Sequence, residues 1–86
     1  MNNWLVYLLE CADNSYYCGV TNDLNKRLTD HNSGKGAKYT RSRLPVKVLA
    51  ERNGLSKSQA FKLEHLVKKK ARDKKITFLS GYTTDE

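Results

Sequence analysis

Long apolar runs are missing from this 86-residue chain. Its two strongest, Trp4–Leu9 and Ile76–Leu79, fall far short of the roughly 20 residues a membrane-spanning helix needs. No Lys or Arg precedes the first run and no small-residue cleavage site follows it, so no secretory signal is expected and the reading is cytoplasmic. Cysteine is equally scarce. Cys11 and Cys18 form no CxxC pair, and neither His31 nor His65 stands at zinc-ligand spacing beside them. Two buried thiols in a reducing compartment are expected. Repeats and linkers are absent too, and the length allows one domain, residues 1–86, with a single core. Acids are outnumbered, 9 against 16 Lys and Arg, for a net charge of +7.

The charge is uneven. Residues 1–21 carry only Glu10 and Asp13, residues 22–52 carry eight bases against three acids, and residues 53–86 carry eight against four. A basic surface on a small domain favours a polyanionic partner, most often nucleic acid, or serves only as a solvated face.

Hydrophobic residues, 38% of the chain, are enough for a small core. Trp4–Leu9 and Tyr16–Val20 read as strands from their aromatic and branched content. Asp13-Asn14 suits a three-residue loop over 12–14, with Asn14 in the left-handed conformation. Paired positions then sum to 26. Tyr17 lies opposite Leu9 and one diagonal step from Tyr7 on the same face, while Cys11 and Cys18 face opposite ways. A helix follows, capped by Asn22 or Thr21, with Asp23 in its first turn, Leu24 and Leu28 as its apolar stripe, and an end at Asn32–Gly36. Ala37–Arg43 is basic and irregular or briefly helical. Pro45 leads into a third strand, Val46–Glu51. Ser56-Lys57-Ser58-Gln59 matches the Ser-x-x-Gln capping box and opens a helix to about Ala71. A last helix, about Arg72–Leu79, is stopped by Gly81. The order β-β-α-β-α-α predicts an α+β fold.

Two charged positions sit oddly on these helices. With Ala60 at zero on a helical wheel, Leu63 falls near 300°, Val67 near 340° and Glu64 near 40°, so Glu64 lies on the apolar side. Lys62, His65 and Lys69 take the wet side. A carboxylate there costs desolvation unless a cation or hydrogen-bond donors meet it, through a Glu–Arg pair, a place at the stripe's rim, or a metal. On the first helix, Arg27 and His31 stand at i, i+4, with His31 within about 20° of Leu24. A guanidinium there can grip a phosphate through two parallel hydrogen bonds. Two strand tyrosines, an Arg/His face and an inward Glu from separate elements supply what phosphodiester hydrolysis needs: a base, a phosphate grip and a metal ligand.

These residues resemble the GIY-YIG nuclease superfamily, and above all its small stand-alone bacterial members. The triplets stand as Leu5-Val6-Tyr7 and Tyr17-Cys18-Gly19, followed by Val20–Leu24, then Arg27, Leu28 and His31-Asn32. The block Gly34–Arg41 and Lys57–Ala60 leading to Glu64 are similar to that subfamily's signature, and the likeness covers about residues 4–80. The resemblance implies a three-stranded antiparallel sheet flanked by helices. It implies Tyr7 as general base on the attacking water, Tyr17 orienting water or phosphate, Arg27 on the scissile phosphate, His31 supporting them, and Glu64 holding one divalent metal, Mg²⁺. A free tyrosine titrates near 10, so such a base needs neighbouring positive charge. Lys35, Lys38, Tyr39 and Arg41 are expected to contact DNA. Leu5 replaces the first Gly, Cys18 replaces Ile, and no Asn follows Asn53, where larger members use one. Two functions follow: a metal-dependent DNA endonuclease of repair or recombination, or a nucleic-acid-binding module that keeps the fold without useful catalysis.

Overall fold

A computed structural model describes residues 2–82. Its centre is β1, Trp4–Glu10, whose interior residues are buried on both faces. That is why the segment reads as a continuous apolar run rather than an alternating one. β2, Tyr16–Thr21, and β3, Lys47–Leu55, flank it antiparallel in the order β2-β1-β3. The hairpin has the expected register, with Tyr7 opposite Gly19 and Leu9 opposite Tyr17. The Cys11 N–H donates to the Ser15 carbonyl at 2.8 Å, and Asn14 takes a φ of 69°.

The helices are α1 (Leu24–Asn32), α2 (Lys38–Arg41), α3 (Lys57–Lys68) and α4 (Arg72–Gly81). They divide between the two faces of the sheet. Val6, Leu8 and Cys18 pack with Ala60, Leu63, Val67 and Leu79 of α3 and α4. Leu5, Tyr7, Leu9 and Cys11 pack with Leu24 and Leu28 of α1. Cys11 and Cys18 are therefore free, buried and on opposite faces, as the register requires.

Besides shifts of one residue at the strand ends, four boundaries differ from the sequence reading. Asp23 is itself the cap of α1, its carboxylate accepting from the Lys26 N–H at 3.1 Å, while Thr21 accepts from the Asp23 N–H. β3 continues four residues past Glu51, because pairing with β1 carries it through Arg52 to Leu55 opposite Trp4. The capping box of α3 forms as read, but the helix stops at Lys68 rather than Ala71. Its last turn tightens, with the Lys70 N–H donating to Val67 O at 3.0 Å, and the Lys75 ammonium of α4 also donates to Val67 O at 2.9 Å and to Lys68 O at 3.3 Å. Gly81 is the last helical residue, not the stop, and the chain leaves α4 at Tyr82 in an extended conformation.

Candidate active site

The face of the sheet under α1 holds a buried polar chain. Tyr7 projects from the middle of β1 and His31 from the last turn of α1, and both are essentially inaccessible to solvent. Tyr7 Oη lies 3.0 Å from His31 Nε2. The other ring nitrogen, Nδ1, lies 2.8 Å from Thr40 Oγ1, and the Thr40 hydroxyl is 2.9 Å from the Ala37 carbonyl. Tyr17, on the neighbouring strand, places its ring 6.4 Å from that of Tyr7 and 5.3 Å from the imidazole. Two glycines make room. A Cβ at Gly19 would fall 2.9 Å from Tyr7 Cε2 and closer still to its Oη, and one at Gly36 would fall 2.8 Å from the Cα of His31.

Arg27, half-buried one turn before His31, stands beside the phenol. Burial pushes the Tyr7 phenol up to about 12, a rise that the guanidinium only partly offsets. Burial, and then the Arg27 charge, hold His31 below its ordinary value of 6.5. Tyr7 is therefore protonated and His31 neutral near pH 7, a donor facing an acceptor. The same shifts bound stability. The unfolded chain protonates His31 more readily, so stability declines as pH falls below about 6.5. The unfolded tyrosine ionises near 10, so the Tyr7 contribution is whole below that and is lost between pH 10 and about 12. Two units correspond to about 3 kcal/mol. The stability advantage of wild type over Tyr7→Phe should shrink by that order across this range in denaturation curves; a constant difference would mean that Tyr7 ionises freely in the fold.

The sheet separates the remaining carboxylate from this chain. Glu64 enters from α3, on the other face, where its charge reaches the Cys18 thiol and, after burial, is the second cause of that thiol's rise to about 12. Its carboxylate pairs with Lys68 at 3.1 Å, one helical turn on, rather than with Arg27. Its side chain is 19% exposed, a place at the rim of the apolar stripe. Among the described residues no three His, Cys, Asp or Glu side chains gather as a metal cage. One carboxylate is enough for an ion such as Mg²⁺, which keeps several waters and takes other ligands from substrate, but at Glu64 the ion would have to displace the Lys68 ammonium.

A cleft at the β2 edge joins the two sides, bounded by Tyr16, Tyr17, Cys18, Tyr39, Lys68 and Lys75. Arg27 lines a different hollow, with Thr21, Lys26 and Asp30. Lys35, Lys38 and Arg41 are carried on the segment beside them, all three exposed. Tyr39, 41% exposed, stacks with Tyr17 at a ring separation of 6.1 Å and has the Arg43 guanidinium 4.0 Å from its ring centre.

Sequence reasoning missed four residues that build this site. Thr40, Gly19 and Gly36 stand against Tyr7 or His31, and Asn32 clamps the loop that carries Gly36 and Thr40. The Asn32 amide donates to Val46 O at 3.1 Å and its oxygen accepts from the Val46 N–H at 2.8 Å. The only signal in the sequence was their place inside the quoted motif blocks.

Residues 3–77 match the GIY-YIG catalytic domain. A UPF0213 protein of Streptococcus pneumoniae serotype 4 is 55% identical over 75 residues, covering 87% of this chain and 76% of that one. UPF0213 protein YazA of Bacillus subtilis is 45% identical over 78 residues, covering 91% and 79%. Two solution NMR structures are similar to the fold. UPF0213 protein BH0048 from Bacillus halodurans has a TM-score of 0.55 at 46% identity, over 93% of this chain and 84% of that one. EF2693 from E. faecalis has a TM-score of 0.62 at 36% identity, over 100% and 99%. No helix among the described residues is long and apolar enough to cross a membrane.

Proposed function

We propose that this chain, which belongs to the GIY-YIG family of catalytic domains, is an endonuclease that hydrolyses DNA phosphodiester bonds in repair or recombination in the cytoplasm. The observation that carries the reading is the 3.0 Å contact between Tyr7 Oη and His31 Nε2 beside Arg27. A phenol raised to about 12 is a poor base unless its own proton has somewhere to go. Tyr7 takes a proton from the attacking water as it passes its own to His31 Nε2, so no free phenolate has to form. Arg27 binds the scissile phosphate and balances the charge that develops there. Tyr17 orients the water or the phosphate from across the hairpin. Glu64 would hold one Mg²⁺, which supplies charge neutralisation at the phosphate and at the leaving oxygen. Lys35, Lys38, Arg41 and the exposed Tyr39 make up the nucleic-acid contact.

The binding-module alternative draws on one observation, the lack of any Asn after Asn53. Labelled DNA and RNA of duplex, nicked, branched and single-stranded form, incubated with and without Mg²⁺, separate the two. Metal-dependent cleavage lost in Tyr7→Phe supports the nuclease; binding without cleavage of any substrate supports the module. In either case, neutralising Lys35, Lys38 and Arg41 together should weaken binding evenly across sequences. It should also flatten the salt dependence by about one unit of slope for each phosphate that is no longer neutralised. An unchanged slope would move the nucleic acid to Lys68–Lys70 and Lys74-Lys75.

A further inference from the structure

We infer that Thr40 is a positioning residue of this site, its hydroxyl fixing the tautomer of His31 that can receive the Tyr7 proton. The inference rests on the nuclease reading for its consequence, but not for its geometry. Among the described residues the one hydrogen bond at Tyr7 Oη is with His31 Nε2, at 3.0 Å, and the charge that acts on the phenol is the Arg27 guanidinium. The guanidinium only donates, so the phenol proton must point at Nε2, which therefore carries none. Neutral His31 then holds its proton on Nδ1, and the acceptor within reach of that proton is Thr40 Oγ1, 2.8 Å away. The Thr40 hydroxyl completes the series by donating to the Ala37 carbonyl at 2.9 Å. Every bond in this direction has one donor and one acceptor. Reversed, with Thr40 donating to Nδ1 and Nε2–H pointing at Tyr7, the phenol proton would face Arg27 in a buried place with no acceptor.

The proton balance follows. As water attacks, its O–H proton forms a bond to Tyr7 Oη while the Tyr7 O–H breaks and Nε2–H forms. The water oxygen bonds phosphorus as the bond to the leaving oxygen breaks, and that oxygen takes a proton from solvent. His31 becomes an imidazolium whose Nδ1–H stays bonded to Thr40, and once product leaves its extra proton passes back through Tyr7 to solvent, restoring the balance. Thr40 touches neither substrate nor reacting atoms. It acts on which nitrogen of His31 is free, and it holds the charged ring once formed.

The test is ¹⁵N NMR of the imidazole nitrogens in the full-length protein, with cleavage assays alongside. Wild type should show His31 protonated at Nδ1 and bare at Nε2 at neutral pH. Thr40→Val keeps the shape of the side chain and removes the acceptor. It should shift the proton to Nε2 and slow cleavage by about 10- to 100-fold, as losing the partner of a functional histidine does elsewhere. Thr40→Ser should restore both the Nδ1–H form and the rate. A wild-type His31 protonated at Nε2 overturns the assignment, whether or not Thr40→Val folds. So does a Thr40→Val protein that cleaves at the wild-type rate with its tautomer switched. A chain that cleaves nothing while His31 holds its proton on Nδ1 would sink the nuclease reading and leave the Thr40 assignment standing.

Discussion

Gly36→Ala should abolish cleavage and lower stability by about 1–3 kcal/mol, the usual cost of forcing a methyl into a filled site. The added Cβ would lie 2.8 Å from His31 Cα and Cγ, and nearer still to Nδ1. The Cα is backbone on a packed helix, so the ring cannot simply swing aside. The loop must retreat, and with it goes Thr40. Gly19→Ala makes a companion experiment on the other partner, since its Cβ would press on Tyr7 Oη and Cζ. Here the obstacle is a buried ring end rather than backbone, so a smaller loss of stability with the same loss of cleavage is expected. Chemical denaturation and a cleavage assay on both variants check this. Wild-type melting and full activity in Gly36→Ala would mean that His31 does not sit against the loop.

Glu64→Gln should lose cleavage with almost no loss of stability. Its ion partner, Lys68, is 55% exposed, and an i, i+4 pair of that kind contributes about 0.3–0.5 kcal/mol. Stability should therefore change by less than about 1 kcal/mol. Cleavage should fall by two orders of magnitude or more, because charge neutralisation by a metal is worth several kcal/mol at the transition state. Arg27→Ala should behave likewise, as no ion pair involving Arg27 forms among the described residues. A loss of several kcal/mol in either variant would reveal a stranded buried charge. Two stable variants with full activity would remove both residues from the site.

Much of this site was legible because it depends on local periodicity. A three-residue loop with Asn14 in the left-handed region sets the hairpin register, and the register alone puts Tyr7 and Tyr17 on one face. Helical spacing from Leu24 turns His31 inward, and the wheel of α3 brings Glu64 to the rim of its apolar stripe. What was hidden depends on elements meeting in space. Glu64 finds Lys68 on its own helix rather than Arg27, because the sheet stands between the two layers. Gly54, with a φ of 78°, and Asn53 look like a strand's end, yet β1 pairing carries β3 past them. Thr40 reads as one polar residue in a basic stretch until the loop folds over His31.

That loop is tied at three points. Asn32 holds its base to Val46, Thr40 holds its middle to His31, and Arg43 holds its end to the hairpin through Asp13 at 3.0 Å and through its carbonyl, which accepts from the Ala12 N–H at 2.8 Å. Lys35, Lys38 and Arg41 are thus borne on a segment whose conformational entropy is already lost when the protein folds. Association with a polyanion then begins from a formed surface instead of ordering a floppy basic arm. Its calorimetric signature should lack the large negative heat-capacity change and heavy entropic penalty of coupled folding, leaving counterion release as the dominant favourable entropy.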